Sequence, residues 1–591
     1  MTVVIDRPTG SGAPPPEEQR SPRLLRRPTG RTVLNTVVIC VLLYLVLGPL
    51  LMLFVTAFED TKFGVFITPP YPWTGKNISQ VFGHSQTYSV LWTTLVFSAG
   101  ALLFAFALSL TFAWLVERTD LPLRNATFVL LVAPQGIPGV IMGVSWSLLL
   151  NPTNGMVNLG LRQMTGSSGT GPLNVYSLPW MIIVEGMKLV PLTFLLVSAS
   201  LRSMNASLEE AARASGASFG TIVRRVTLPL LKPALVGALI YEFVAVVETV
   251  DIPLLLGVPG HVKVLSTQIY FASHPAVGLP NYGLSATYGG FLLALALIPL
   301  AFYNRIVRSG SYATVTGKTF RPKVQKLGRW KPLAVVGTWV YICIAFFVPL
   351  LVLVWTSLQP YVSEINAAAF HRLTFKAYSK TLSSELFTSA LKNTIFVALF
   401  SAAMAMLLAT LVSWIIVRSH SRFSWMADVL AFMPHAMPGV VIGLSVLMIY
   451  LIMPVPIYGT FWIIVIAMGT QYVSLGTRLT TGGIAQIQRS LEEAAEASGA
   501  SNWQVWRRVL FPLLRPVFLN GFLLVVLASI QNLTLPIMLY VPGNQVLSSL
   551  IYTRWSGGDI SGTAVTSVVV TAITVIAAMA LRRASGSRAT A

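Results

Sequence analysis

Long apolar stretches follow one another along almost the whole chain, and they restrict it to a lipid environment. A transmembrane helix needs about 20 mainly apolar residues to cross a bilayer. Hydrophobic residues make up 54% of the 591 residues and charged residues only 10%, so no intervening stretch could fold as a separate soluble domain. We predict an all-α membrane protein with about 12 transmembrane helices, near 34–57, 90–115, 126–150, 178–200, 233–256, 284–304, 334–357, 390–416, 427–453, 461–477, 514–540 and 564–581.

The second six predicted helices repeat the first six in sequence. Segment 134–139 returns 300 residues later as 434–439, and segment 207–212 returns as 490–495. Because six is an even number, both halves must enter the membrane from the same side, which predicts two parallel six-helix repeats around a central path. The predicted regions are a cytoplasmic disordered tail at 1–33, a first six-helix domain at 34–304, a basic cytoplasmic linker at 305–333, a second six-helix domain at 334–583 and a tail at 584–591.

The net charge of +21 does not indicate a nucleic-acid partner, because Lys and Arg cluster in alternate loops rather than along one face. Most of the 41 basic residues fall on one side of the predicted membrane helices, together with both termini. The positive-inside rule makes that side cytoplasmic. The apolar helices themselves imply that the chain's partner is the lipid bilayer. Cys40 and Cys343 each lie within an apolar stretch, so we expect neither a disulfide framework nor a metal site.

Two predicted cytoplasmic loops are close copies of each other, reading SLEEAARASGASFG and SLEEAAEASGASNW. Ser207 with Glu210, and Ser490 with Glu493, are spaced to form capping boxes at the start of a short helix. Gly216 suits the left-handed conformation that ends such a helix, and a second amphipathic helix follows. An ordinary solvated amphipathic helix is the alternative, but two near-identical copies at matching places argue against it.

These loops resemble the signature of permeases of ATP-binding-cassette importers: Glu-Ala-Ala, three residues, Gly, nine residues, an aliphatic residue, one more and Leu-Pro. The resemblance covers both halves. Val226 and Val509 replace the commoner Ile, and Phe511 replaces Leu in the second copy. In these type I importers, the short helix docks into a cleft on the ATPase subunit. The resemblance therefore implies a coupling role for Glu209, Glu210, Ala211, Ala212 and Gly216, and for Glu492, Glu493, Ala494, Ala495 and Gly499.

The chain itself carries no phosphate-binding loop. Segment 316–319 reads Thr-Gly-Lys-Thr, but the first glycine of the motif would stand at Tyr312 and no strand precedes it. We therefore expect no catalytic residue and no cofactor in this chain, with ATP bound by two separate ATP-binding-cassette ATPase subunits. The resemblance also implies a separate extracytoplasmic substrate-binding protein and a location in the bacterial cytoplasmic (inner) membrane.

Helix-breaking residues and intramembrane polar groups are the candidates for the path. Breaks in transmembrane helices are tolerated where the freed backbone faces protein or a water-filled cavity, and buried ionisable groups are costly unless they are paired or hydrated. Kinks that only aid packing, mutual pairing of Glu185 with Lys188, and an interhelical hydrogen bond by Glu242 are the alternatives. The predicted gate residues are Pro134, Pro138, Gly139, Pro434, Pro438 and Gly439, and the predicted path residues are Glu248, Asp251, Gln531 and Asn532.

The fusion of both halves, joined by a basic linker, resembles the ferric-iron branch of this permease family. Thiamine, polyamine and aminophosphonate importers are built on similar permeases and stay open as alternatives. No His or Tyr cluster with iron-ligand spacing occurs within the predicted membrane helices, so we expect iron to be recognised mainly by the separate binding protein. A proton-coupled secondary transporter also has twelve helices in parallel repeats, but it does not account for the paired Glu-Ala-Ala loops. A membrane-embedded enzyme has no supporting constellation of His, Cys or Ser.

Overall fold

The computed structural model describes residues 30–60, 72–166, 169–204, 207–309, 325–362, 367–419 and 422–586. Most of the predicted tails and the Thr-Gly-Lys-Thr segment of the linker lie outside these residues. Within them the chain is helical, and only two isolated bridges, Glu59 with Trp73 and Thr119 with Gln325, pair extended backbone. The all-α prediction is confirmed for the described part.

The helices follow the predicted repeat. In the first half they are Gly30–Ala57, Lys76–Gly83, Ser85–Arg118, Arg124–Val132, Gly139–Leu150, Met156–Thr165, Leu178–Ser203, Ser207–Ala214, Phe219–Ile222, Leu228–Glu248, Leu265–Ser273 and Tyr282–Ser309. In the second half they are Lys331–Ile342, Val348–Ser357, Ala367–His371, Lys376–Leu382, Glu385–Arg418, Arg422–Ala436, Gly439–Ile452, Phe461–Ala485, Arg489–Ala497, Asn502–Val505, Phe511–Gln531, Thr534–Leu539, Leu547–Ser556 and Ile560–Gly586.

Nine of the described helices are long and apolar enough to cross a membrane, and two bent helix pairs raise that number to eleven. The remaining predicted membrane segment, near 461–477, is a helix of 25 residues, Phe461–Ala485. Polar residues such as Gln471 and Thr470 lower its hydropathy. A total of twelve membrane-crossing helices therefore stays a prediction.

The fifth and eleventh predicted membrane helices have different bounds in the structure. They were expected at 233–256 and 514–540, but they end at Glu248 and Gln531, where Thr249 and Asn532 are extended. The freed carbonyls of these two residues accept hydrogen bonds from the hydroxyls of Ser266 (2.6 Å) and Ser548 (2.8 Å). The apolar sequence continues past each break, so hydropathy alone does not reveal it.

These two helices also begin earlier than expected. The amphipathic surface helix predicted to precede each of them is continuous with the membrane helix, through a π-helical turn at Val223–Thr227 in the first half and at Trp506–Leu510 in the second. Pro229 and Pro512 do not interrupt the chain, because each stands in the first turn after the π-helical segment, where a proline is tolerated.

The first membrane helix of each half packs against the other half. Gly30–Ala57 lies along Gly439–Ile452, and Val348–Ser357 lies along Gly139–Leu150. The Tyr44 hydroxyl donates a hydrogen bond to the Tyr450 hydroxyl at 3.0 Å across this boundary. Because each half uses a helix of the other to cover its core, the two repeats form one interlocked unit.

Both halves contain a sharply bent helix pair at the same place. Arg124–Gly136 and Gly139–Leu150 meet at 95°, and Phe423–Ala436 and Gly439–Ile452 meet at 105°. Pro138 and Pro438 stand at the bends in extended backbone. The bends leave the amino termini of Gly139–Leu150 and Gly439–Ile452 pointing inward, and helix amino termini carry a partial positive charge.

Candidate functional site: the Glu-Ala-Ala helices and a central polar path

The two Glu-Ala-Ala loops form matching short helices, Ser207–Ala214 and Arg489–Ala497, which we call the EAA helices. Gly216 and Gly499 follow them with φ of +81° and +83°. The N–H of the next residue donates to a carbonyl five residues back, Ala217 to Ala212 and Ala500 to Ala495, each at 3.0 Å. This is the Schellman arrangement, and it favours glycine at the left-handed position, as the sequence predicts for Gly216.

The capping box predicted for the second EAA helix is not formed. The predicted N-cap is Ser490, but the helix begins at Arg489 and its N-cap is Gln488, two residues earlier, which makes no side-chain cap. Glu493 instead pairs with Arg489 at 3.1 Å, one helical turn away. The basic residue competes for the carboxylate that the capping box requires. The side chain of Ser207 lies outside the described residues.

Glu209 and Glu492 anchor the EAA helices to the membrane helices. The Glu209 carboxylate lies 3.4 Å from Nε of Arg118 and accepts a hydrogen bond from the Thr227 hydroxyl at 3.0 Å. In the second half, Nε of Arg418 donates to Glu492 at 2.7 Å. Arg118 and Arg418 are the last residues of Ser85–Arg118 and Glu385–Arg418, so each ion pair joins an EAA helix to the end of a long membrane helix.

The neighbouring glutamates point away from the protein. Glu210 is exposed, and the Glu493 side chain is 63% exposed despite its pairing with Arg489. Ala211 and Ala494 are exposed beside them, while Ala212 and Ala495 are half-buried. Each EAA helix thus has one glutamate that holds it and one that faces outward, available to a partner.

The second EAA helix borders a groove that the first one does not copy. A cavity of about 330 Å³ is lined by residues that include Trp414, Glu492, Trp503 and Trp506. Trp503 and Trp506 are not repeated in the first half, which reads SFGTIV where the second reads SNWQVW. The surfaces around the two EAA helices are therefore similar in backbone but unequal in side chains.

Asp251, a predicted path residue, lies against the helix break of its own half. Its carboxylate is 3.1 Å from Nζ of Lys188, and Lys188 is also 3.1 Å from Glu185. A Cβ added to Gly139 would lie 1.5 Å from Oδ2 of Asp251, so only glycine leaves room for this carboxylate. Asp251 therefore occupies the amino terminus of Gly139–Leu150.

Glu248 reaches the helix break of the other half. Its Oε2 accepts a hydrogen bond from the backbone N–H of Gly439 at 2.5 Å. A carboxylate thus meets the amino terminus of each inner half-helix, Asp251 in the first half and Glu248 in the second. Both positions are electrostatically favourable for an anion-bearing side chain. Glu242, by contrast, is buried and accepts a hydrogen bond from Thr193 at 3.2 Å, the interhelical role considered for it.

Gln531 and Asn532 line the same region from the second half. A cavity of about 200 Å³ is bordered by Lys188, Asp251, Gln531 and Asn532, and also by Pro134 and Gly139, which were predicted as gate residues. Nε2 of Gln531 is buried and makes no hydrogen bond within the described residues. Residues of both halves therefore converge on one central space.

A larger cavity of about 470 Å³ adjoins this one and shares Tyr472 and Asn532 with it. It is bordered by Glu248 and by the gate residue Pro434. The structure thus brings all four predicted path residues to two adjoining cavities. Pro138 and Pro438 make the bends but do not border either cavity as described.

Three residues that line or brace this space were not predicted as path residues. Lys188 was considered only as a partner of Glu185, and Gln471 and Tyr472 were not singled out. The Asn532 amide donates to Gln471 at 3.3 Å and to the Tyr472 hydroxyl at 3.1 Å. Polar residues at 471 and 472 within an apolar stretch were the available signal, since such residues face protein or water in a membrane helix.

Several known proteins are similar to this chain in sequence. A profile of binding-protein-dependent transport system inner membrane components matches residues 105–310 and 401–589. The provisionally named ferric transport system permease protein FbpB 1 of Haemophilus influenzae is 26% identical over 493 residues, covering 82% of this chain and 74% of that protein. The ferric transport system permease protein FbpB of Actinobacillus pleuropneumoniae is 24% identical over 529 residues, covering 88% of this chain and 73% of that protein.

A relative with a different name matches a shorter stretch. The provisionally named 2-aminoethylphosphonate transport system permease protein PhnV of Salmonella paratyphi A is 31% identical over 159 residues, which cover 27% of this chain and 60% of that protein. The two ferric relatives therefore extend over most of this chain, whereas the aminophosphonate relative covers about a quarter of it.

Proposed function

Since this chain belongs to the family of binding-protein-dependent transport system inner membrane components, we propose that it is the permease subunit of an ATP-driven importer of ferric iron. In this proposal the two halves form the translocation path, and the EAA helices couple it to two separate ATP-binding-cassette ATPase subunits that bind the ATP. A substrate-binding protein delivers iron at the opposite, extracytoplasmic face. The chain lies in the bacterial cytoplasmic membrane with both termini in the cytoplasm.

The anchoring of the EAA helices is the observation that carries the coupling proposal. A helix that transmits motion must be held firmly on one side and must offer contacts on the other. Glu209 and Glu492 hold the two helices to Arg118 and Arg418, whereas Glu210 and Glu493 are exposed. Movement of a bound ATPase subunit would therefore act on the ends of Ser85–Arg118 and Glu385–Arg418.

The central cavities support a path for a cation. Three carboxylates, those of Glu185, Glu248 and Asp251, lie in this region together with two basic groups, those of Lys188 and Arg478. This leaves an excess of negative charge where the two halves meet. The helix amino termini at Gly139 and Gly439 offset part of that charge.

The relatives favour iron over the other substrates. Both ferric transport relatives match across the two halves, and the aminophosphonate relative does not. Thiamine, polyamine and aminophosphonate transport are therefore the competing substrates that an experiment must include.

Reconstitution in liposomes tests this proposal. The purified chain is combined with its candidate ATPase, and uptake of radioactive iron is measured with an iron-loaded binding protein, an empty one, and binding proteins for the three competing substrates. We expect ATP-dependent uptake only with the iron-loaded protein. Uptake driven by a proton gradient in the absence of the ATPase would instead establish a secondary transporter.

A further inference from the structure

The two halves place equivalent tyrosines against each other at the end of the protein opposite the EAA helices. Tyr270 lies on Leu265–Ser273, and Tyr552 lies at the matching position of Leu547–Ser556. Their ring centroids are 6.4 Å apart with the planes at 88°, an edge-to-face contact between the two rings. The pair therefore joins the two halves at the mouth of the space between them.

Each tyrosine is held by the same local structure. The backbone N–H of Leu265 donates to the Thr94 hydroxyl at 3.0 Å, and that of Leu547 donates to the Thr394 hydroxyl at 2.8 Å. Both hydroxyls belong to long membrane helices, so the two short helices are fixed at equivalent depths. The meeting of the tyrosines thus follows from the repeat itself rather than from a mobile loop.

A polar vestibule lies beside this pair. A cavity of about 400 Å³ is lined by Tyr270, His274, Tyr458 and Tyr540, among other residues. The His274 ring is stacked on Tyr270, with centroids 5.1 Å apart. We call these four residues, together with Tyr552, the tyrosine vestibule. Among the residues described around this cavity none is Lys, Arg, Asp or Glu.

Oxygen donors of this kind suit a small cation of high charge. Hard cations prefer oxygen ligands, and the tyrosine phenolate is an established ligand of ferric iron. A metal ion stabilises the deprotonated form of its ligand and so displaces a proton that the free side chain retains at neutral pH. A monovalent cation compensates less well for the loss of this proton. Phenol ligands therefore select for trivalent over monovalent ions.

On the basis of the ferric substrate proposed above, we propose that the tyrosine vestibule is a Fe³⁺-binding site at the entrance of the permease, with the oxygens of Tyr270, Tyr552 and Tyr540 as ligands. For each ligand, an O–H bond breaks, an Fe–O bond forms and the proton passes to water. Iron remains in the ferric state throughout. Because Tyr270 belongs to the first half and Tyr540 and Tyr552 to the second, the bound ion links the two halves at this end.

Visible absorption of the purified permease tests this site directly, because Fe³⁺ bound to phenolate gives a charge-transfer band that neither partner shows alone. The full-length chain in nanodiscs, without binding protein or ATPase, is titrated with ferric nitrilotriacetate. We expect a visible band that saturates at an equimolar ratio, with protons released in parallel. Gallium(III), which binds hard oxygen donors but gives no such band, should remove it by competition, and Ca²⁺ should not.

Variants identify the ligands. Tyr270→Phe and Tyr552→Phe should each weaken the band, and the double variant should lose it. Tyr361→Phe is the matched control, since Tyr361 is an exposed tyrosine whose hydroxyl bonds Arg372 away from the cavity. Unchanged thermal unfolding of the double variant shows that it is folded. A full band in the folded double variant, or no band in the unsubstituted chain, overturns the proposal. Iron uptake measured in liposomes with the unsubstituted chain is independent of this result, so the vestibule can fail while the importer proposal stands.

Discussion

The carboxylate of Glu248 accepts a hydrogen bond from the backbone N–H of Gly439 at 2.5 Å, and this contact joins the first half of the protein to the broken helix of the second. The equivalent glycine of the first half, Gly139, faces Asp251 of its own half. The repeat is therefore symmetric in backbone and asymmetric in the charges at its centre. On the proposed path, a substrate that crosses this region would disturb the contact between Glu248 and Gly439 and the cluster around Asp251.

Substitutions of Glu248 separate its charge from its hydrogen bond. Glu248→Gln keeps an oxygen that can accept from Gly439, so we expect unfolding temperature to stay nearly constant while iron uptake falls. Glu248→Ala removes the acceptor as well and should lower stability by about 1 kcal/mol, the usual value of a helix cap. Equal uptake by Glu248→Gln and the unsubstituted protein would exclude a role for the charge. Thermal unfolding and liposome uptake are the two measurements.

The two gate glycines should differ in their tolerance of a methyl group. Gly139→Ala forces Asp251 away from its position, because the new Cβ would lie 1.5 Å from the carboxylate oxygen. At Gly439 the nearest atom is Nε2 of Gln471 at 3.0 Å, the end of a flexible side chain. We therefore expect Gly139→Ala to lower stability by about 1–3 kcal/mol and to abolish uptake, and Gly439→Ala to cost less. The opposite order would contradict the placement of Asp251.

Lys188 should be essential because it compensates two carboxylates. Lys188→Met leaves Glu185 and Asp251 without their counter-charge, and breaking a buried ion pair in this way costs about 3–5 kcal/mol. The triple variant Lys188→Met, Glu185→Gln, Asp251→Asn removes the charges together and should recover most of the stability without recovering uptake. Thermal unfolding in detergent distinguishes the two variants. Equal stability of the single and the triple variant would show that water stabilises the carboxylates of Glu185 and Asp251 without Lys188.

The two arginines that pair with glutamates of the second EAA helix, Arg418 and Arg489, should contribute unequally to stability. The Arg418 and Glu492 side chains are 10% and 13% exposed, so Arg418→Ala should cost about 3 kcal/mol and detach the EAA helix from the membrane helix. Arg489→Ala breaks only an exposed pair one turn apart and should cost about 0.3–0.5 kcal/mol. The stability of the permease–ATPase complex on size-exclusion chromatography is the readout. Similar losses in both variants would contradict the anchoring role of Glu492.

The turn after each EAA helix should require glycine. Gly499→Ala places a Cβ in the left-handed region and should cost about 1–2 kcal/mol. Gly482→Ala is a control inside the helix Phe461–Ala485, where a Cβ would meet open space, and it should be neutral or stabilising by about 0.5–1 kcal/mol. Thermal unfolding measures both. An equal loss of stability in Gly482→Ala and Gly499→Ala would contradict the claim that the left-handed conformation at position 499 requires glycine.

Sequence reasoning predicted the local structure of the EAA helices well. Their Glu-Ala-Ala-x-x-x-Gly pattern contains both a helix former and its stop, and the structure has the helix, the left-handed Gly216 and the following helix where the pattern predicts them. The predicted start of the second EAA helix was wrong. The helix already begins at Arg489, and Arg489 forms an ion pair with Glu493. Capping rules describe the N-cap residue and its partner, but they do not include a neighbouring arginine that competes for the same carboxylate.

Contacts between distant segments could not be predicted in the same way. Arg418 and Glu492 are separated by 74 residues, and Glu248 and Gly439 by 191, so no local periodicity links them. The tyrosine vestibule is more distant still, since Tyr270 and Tyr552 belong to different halves and to short helices outside the predicted membrane segments. The repeat implied that equivalent residues meet near the axis, but only the packing of the helices shows which ones.

ATP turnover of the reconstituted complex tests the central claim most directly. Turnover is measured with and without the iron-loaded binding protein for the unsubstituted chain and for the double change Glu210→Ala, Glu493→Ala, which removes the two outward-facing glutamates and leaves their anchoring neighbours. The account predicts stimulation by the loaded binding protein in the first case, and uncoupled turnover or loss of the ATPase in the second. Full stimulation of the double variant, or a chain that binds no ATPase, would contradict it.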